Sequence, residues 1–194
     1  LSLHTLRETY LILTENWNVT GRLKEEENIM TTVYVSIGSN INREYHVTQA
    51  LEALETRFAP LHISRFYDCV PVGFEGDNFL NLVVGFECDI SVADLSKILH
   101  QIELDNGRQR QTKAFAARTM DIDILLYDDL VGVIDGVELP RGEITEYAFV
   151  LRPLVDIAAQ KRHPTLDISY QQLWDNFDQS SQKTQPISFT RHVT

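Results

Sequence analysis

Met120-Asp121-Ile122-Asp123-Ile124-Leu125-Leu126-Tyr127 alternates apolar and acidic residues with the period of two that a half-buried β-strand requires. Met120, Ile122, Ile124 and Leu126 are expected to point one way, and Asp121 and Asp123 the other. This strand closes a pattern that begins at Val33-Tyr34-Val35-Ser36-Ile37, a first strand broken by the turn-forming Gly38-Ser39-Asn40. Val47, Ala50, Leu51, Leu54 and Phe58 then recur at helical spacing, predicting a helix over Arg43–Phe58 that Ala59-Pro60 ends. Residues 63–69 read as a second strand, residues 71–78 as a loop carrying Gly73 and Gly76, and Phe79–Cys88 as a third strand. Ser91 or Asp94 can cap the next helix, whose stripe is Leu95, Ile98, Leu99 and Ile102, with Gly107 as its stop. The order βαββαβ predicts an α+β, ferredoxin-like sandwich. A C-terminal extension from about residue 139 adds Phe149-Val150-Leu151-Arg152-Pro153-Leu154 and a short helix over 168–174.

Composition bounds the function. A chain of 194 residues with 43% hydrophobic and 23% charged residues can bury a core and is not disordered overall. Seventeen Lys+Arg stand against 28 Asp+Glu, a net charge of −11 that opposes non-specific binding to nucleic acid. The strands also lack the Lys/Arg-Gly-Phe aromatic motif by which an RNA-binding module of this topology stacks bases. Two cysteines, Cys69 and Cys88, in a chain that needs no disulfide predict a reducing, cytoplasmic setting. Apolar runs such as Ile124-Leu125-Leu126 are far shorter than the roughly 20 residues that span a bilayer, so no membrane partner is expected. Residues 1–29 sustain no helical or strand period, and Lys24-Glu25-Glu26-Glu27 just before Met30 implies purine-rich codons like those of a ribosome-binding site. The expectation is a leader or arm over 1–29 and one domain over 30–194.

The chemistry concentrates between Glu103 and Asp123. Asp121 and Asp123, two apart on one strand, project both carboxylates from one face, where they repel unless a cation lies between them. Mg²⁺ suits such a pair, because it takes one or two carboxylates together with substrate phosphate oxygens. Just upstream, Arg108, Arg110, Lys113 and Arg118 gather in an otherwise acidic chain, within a loop of low apolar content. Guanidinium groups that bind phosphate oxygens bidentately, beside carboxylates that hold Mg²⁺, are the parts phosphoryl transfer requires. The sequence contains no Walker-type or kinase glycine loop, so side chains would have to hold the nucleotide.

Ile102-Glu103-Leu104-x-x-Gly107-Arg108-x-Arg110, followed by Arg118-Thr119-Met120-Asp121-Ile122-Asp123-Ile124-Leu125-Leu126-Tyr127, resembles the signature of the 6-hydroxymethyl-7,8-dihydropterin pyrophosphokinase family. Val35-Ser36-Ile37-Gly38-Ser39-Asn40, Ser64-x-Phe66-Tyr67, Pro71-Val72-Gly73, Phe79-Leu80-Asn81 and Phe149-Val150-Leu151-x-Pro153-Leu154 match the family in order, over residues 31–174. The resemblance implies transfer of pyrophosphate from Mg-ATP to the pterin hydroxymethyl group with release of AMP. It implies that Asp121 and Asp123 hold two Mg²⁺ ions and that Arg108 and Arg118 steady the transferring phosphates. Glu103, Arg110 and Ile124 would lie on the nucleotide side. The pterin would lie between Phe115 and Phe149, with its edge on Asn81 and with Val72, Phe79 and Cys69 completing the pocket.

Two departures qualify these expectations. Phe115-Ala116-Ala117 stands where the family usually has Trp-Gly-Pro, and Pro140-Arg141-Gly142 stands where it has a His turn. Tyr147 stands in place of a basic residue. Arg141 is expected to supply phosphate charge in compensation. The alternative is a non-catalytic or altered-specificity paralogue that binds a pterin or a nucleotide.

Overall fold

The first strand, β1 (Thr31–Ser39), buries Val33, Val35 and Ile37 on one face, and the helix α1 (Arg43–Phe58) covers that face with Val47, Ala50, Leu51, Leu54 and Phe58. A computed structural model describes residues 30–108 and 118–191 of the chain. β4 (Phe79–Cys88) pairs antiparallel with β1 along its whole length, from Ser39 opposite Leu80 to Thr31 opposite Cys88. β2 (His62–Ile63) and β3 (Phe66–Cys69) pair with the far side of β4, and β5 (Asp121–Tyr127) pairs with the other side of β1. α2 (Val92–Asp105) lies beside α1, with Leu95, Leu99 and Ile102 in the same core. Ser91 caps this helix by accepting from the Asp94 N–H, which decides between the two candidate caps. Gly107 follows the helix at φ 75°, a conformation that favours glycine.

The opposite sheet face is covered by α4 (Ala148–Ala158), which follows the one-turn helix α3 (Glu143–Glu146), and by α5 (Tyr170–Asn176). Val83, Leu125 and Leu126 from the sheet pack there against Val150, Leu151, Leu154 and Tyr170. The chain is thus a mixed α/β structure with helices on both faces of an antiparallel sheet, in the order β5-β1-β4-β3 with a further strand, β8 (Thr184–Ile187), at the β3 edge. A separate ribbon, β6 (Gly132–Ile134) and β7 (Val137–Leu139), turns at Asp135 and Gly136, both at positive φ as a tight hairpin requires.

Several expectations change. The strand expected over 63–69 is two strands. Register advances by one residue between Ile63 opposite Val84 and Tyr67 opposite Asn81, and the Ser64 Oγ accepts the Val83 N–H at 2.9 Å. A hydroxyl fills the ladder position that an extra residue would leave open. In β5, the even alternation fails beyond Ile124. The β1 pairing passes from Val35 opposite Ile124 to Tyr34 opposite Leu126, so Leu125 is an extra residue and Leu126 turns to the α4 face. The last helix begins at Tyr170, where Ser169 and Gln172 form a capping box, and β8 is an unforeseen addition. Residues 1–29, expected to be a leader or arm, lie outside the described residues.

Candidate active site

Asp121 and Asp123 sit on β5 opposite Gly38 and Ser36 of β1, on the face away from the core formed with α1 and α2. Ile122 and Ile124 turn into that core, so their burial fixes the direction of both carboxylates. Asp121 pairs with Arg108 at 2.8 Å and with Arg118. Asp123 pairs with Arg141 at 3.1 Å, and Arg141 Nε donates to Glu143 at 2.8 Å. Burial pushes the Asp123 carboxyl up, and the nearby Glu143 adds to this while Arg141, Arg108 and Arg118 pull it back. Burial and the charge of Arg108 push the Arg118 guanidinium down.

Glu103 makes structural bonds within the site. Its buried Oε1 accepts the Ile122 N–H at 2.8 Å and a hydrogen bond from Arg108, and its Oε2 lies 3.3 Å from His100 Nδ1. Glu103 therefore holds both the backbone between the two aspartates and one of the arginines. An unpaired Ile122 N–H in that place would cost about 1–3 kcal/mol.

A cavity of about 110 Å³ lies over the same sheet face. Cys69, Val72, Phe79, Asn81 and Phe149, expected around a pterin, all line it, together with Arg118, Asp121 and Asp123. Asn81, Gly38 and Asp121 form one row across three strands. A Cβ on Gly38 would stand 2.8 Å from Asn81 Oδ1, so only glycine leaves the carboxamide its place. Burial pushes the Cys69 thiol up to about 12, which makes it a neutral wall group rather than a nucleophile.

Sequence reasoning missed Phe74, Glu143 and the wall role of Tyr147, which also line the cavity. The Tyr147 and Phe149 rings are stacked with centroids 5.0 Å apart, so the position expected to lack a cation instead extends an aromatic surface. The spacing Tyr147-x-Phe149 was the only local signal of that pairing.

A second cavity, of about 390 Å³, opens on the α2 and β6–β7 side. It brings together Glu103, Ile124 and Arg141, three of the residues expected to contact ATP, with Arg108, Lys97, His100 and Val137, while Arg118 lines the aromatic cavity instead. Asp123 lines both cavities. Arg110, Lys113 and Phe115 lie outside the described residues.

The donor set fits Mg²⁺. Among the described residues no group of three or more His, Cys, Asp or Glu side chains could hold a metal ion. A hard ion here would take the two carboxylates and complete its shell with phosphate oxygens and water, as Mg²⁺ does.

Residues 34–159 match the profile of the family described as 7,8-dihydro-6-hydroxymethylpterin-pyrophosphokinase (HPPK). The chain is 34% identical over 131 residues to the 2-amino-4-hydroxy-6-hydroxymethyldihydropteridine pyrophosphokinase of Bacillus subtilis, covering 66% of this chain and 78% of that protein. It is 33% identical over 132 residues to the bifunctional protein FolKE of Lactococcus lactis, covering 66% of this chain but only 38% of that longer protein. The fold is similar to that of wild-type HPPK-DHPS of Plasmodium falciparum in complex with STZ-DHP, with a TM-score of 0.61 and 14% identity, over 77% of this chain and 44% of that one. With the matched profile spanning the row of Asn81, Gly38 and Asp121 and the arginines around it, the chain belongs to the HPPK family.

Proposed function

We propose that this chain transfers pyrophosphate from Mg-ATP to the hydroxymethyl group of 6-hydroxymethyl-7,8-dihydropterin and releases AMP, a step of folate biosynthesis. The observation that carries the reading is the position of Asp121 and Asp123. Both line an aromatic cavity with a carboxamide on its floor, and Asp123 also lines a second cavity that carries Arg108 and Arg141. The sheet order β5-β1-β4-β3 with antiparallel neighbours supports a ferredoxin-like fold.

In this reading the pterin stacks on Phe149 and presents its amide edge to Asn81, which offers both a donor and an acceptor. Its hydroxymethyl oxygen then faces the carboxylate row. The hydroxyl oxygen forms a bond to the β-phosphorus, the bond from that phosphorus to the oxygen of AMP breaks, and the hydroxyl proton passes to solvent. Asp121 and Asp123 would hold Mg²⁺, as two ions, which when bound neutralise and orient the triphosphate. Arg108, Arg118 and Arg141 exchange carboxylate partners for phosphate oxygens and stabilise the charge that develops on them. Arg110 would add charge on the nucleotide side and Phe115 would cover the pterin's second face. Among the described residues no helix is long and apolar enough to cross a membrane, and a cytoplasmic location is proposed from the free, buried Cys69 and Cys88.

The test is AMP release with 6-hydroxymethyl-7,8-dihydropterin, ATP and Mg²⁺. Pyrophosphorylated pterin and AMP in equal amounts support the reading. Binding of both ligands without turnover would favour the paralogue that binds and does not catalyse.

A further inference from the structure

Tyr147 stands between two helices and belongs to neither. It follows α3 and precedes α4 in an extended conformation, φ −123° and ψ 125°, and its side chain caps neither end. The extended residue is what brings its ring beside that of Phe149, at 5.0 Å between centroids. Were α3 and α4 one continuous helix, positions 147 and 149 would be turned about 200° apart and could not stack. Such a helix would bond the Ala148 N–H to the Ile144 carbonyl and the Val150 N–H to the Glu146 carbonyl. The break therefore has to be held against its own regular alternative.

Gln182, from the C-terminal segment, takes both of the groups that flank Tyr147. Its Oε1 accepts the Ala148 N–H at 2.9 Å, and its Nε2 donates to the Glu146 carbonyl at 2.8 Å. One planar carboxamide thus satisfies the start of α4 and the end of α3 together. Gln182 is itself held in place from the next strand. Two residues on, Thr184 of β8 pairs opposite Cys69 of β3, which lines the aromatic cavity. Beyond it Phe189 packs on Phe66 with ring centroids 4.6 Å apart, and Arg191 pairs with Glu55 at 2.9 Å.

We propose that Gln182 is a positioning residue that holds the break at Tyr147 and so keeps the Tyr147 and Phe149 rings together as a wall of the pterin cavity. The inference rests on the proposed pyrophosphokinase function. A wall ordered before the ligand arrives spares the ligand the cost of ordering it. The C-terminal segment, which contributes no lining residue to either cavity, thereby sets affinity for the pterin and not for the nucleotide.

The experiment measures calorimetric Kd values for 6-hydroxymethyl-7,8-dihydropterin at saturating Mg²⁺ and α,β-methylene-ATP, which lacks the scissile oxygen, and for that analogue alone. Gln182→Met keeps the length of the side chain and removes both bonds. It is expected to weaken pterin binding at least ~5-fold and to leave analogue binding within about twofold of wild type. Gln182→Glu retains the acceptor for the Ala148 N–H and is expected to lose less. In a Tyr147→Ala background Gln182→Met is expected to cost nothing further, because the group it positions is gone. Wild-type pterin affinity in Gln182→Met overturns the proposal, as do equal losses for both ligands or losses that add in the double variant. If Gln182→Met does not fold, wild-type pterin affinity in Gln182→Glu overturns it. Any of these results in a chain that turns over removes the positioning role alone, whereas a wild type that binds neither ligand overturns the functional reading with it.

Discussion

Asn81 and Asp121 stand in one row of the sheet with Gly38 between them, Asn81 paired to it from β4 and Asp121 from β5. Two strand spacings separate the carboxamide strand from the carboxylate strand by about 10 Å. Because Gly38 has no side chain, the floor between them is open. A flat heterocycle laid there would have its amide edge at one end and its reacting substituent at the other.

Gly38→Ala places a methyl group 2.8 Å from Asn81 Oδ1 and must displace the carboxamide. Pterin affinity is expected to fall at least ~10-fold, comparable to losing one well-formed buried hydrogen bond, while affinity for the nucleotide analogue changes little. Calorimetry with each ligand separately checks this. Equal pterin affinity in Gly38→Ala and wild type would move the pterin edge away from Asn81.

Removing either carboxylate removes charge at the proposed Mg²⁺ position. Asp121→Ala and Asp123→Ala are each expected to lower kcat by at least ~10²-fold. Steady-state AMP release across a Mg²⁺ titration is the measurement. Turnover near that of wild type in both variants would remove the metal-holding role.

Arg141 bridges Asp123 and Glu143 at the join of the two cavities, in a turn where the family usually has histidine. Arg141→Ala is expected to weaken Mg-ATP analogue binding by about 1–3 kcal/mol, the usual worth of a charge-assisted hydrogen bond. Titration of wild type and variant with α,β-methylene-ATP decides. Superimposable curves would assign the phosphate charge to the other arginines.

Asp156 on α4 accepts from Arg65 at 2.6 Å and from the Tyr67 hydroxyl at 2.8 Å, which ties that helix to β3 and to the residues before it. Burial pushes its carboxyl up, but the bonds from Arg65 and Tyr67, with the charges of Arg65 and Arg152, outweigh this and leave it below the ordinary value. A carboxylate depressed in the folded state stabilises above its unfolded value of about 4, and that stabilisation is lost as pH falls through the folded value. The Tm difference between wild type and Asp156→Asn is therefore expected to be full near neutral pH and to close as the solution is acidified below about pH 4. A difference that stays constant over that range would show that the carboxylate charge contributes nothing.

Elements whose signal is local were legible in the order of residues alone. The bounds of α1 followed from the 3.6-residue recurrence of Val47, Ala50, Leu51 and Leu54. β4 and the shared face of Asp121 and Asp123 followed from strand period, and the motif around them identified the family. Which strands share a row emerged from the folded chain. The extra residue at Leu125 sends Leu126 to the α4 face, and β8 adds to the β3 edge through residues more than a hundred positions away. Folding also decided the partners of the charged and polar groups, pairing Arg141 with Asp123, placing Glu103 under the Ile122 N–H and using both ends of Gln182. The physical reason is that a hydrophobic period reports which face of an element is buried, whereas register and side-chain partners depend on hydrogen bonds formed between segments the chain brings together only when folded.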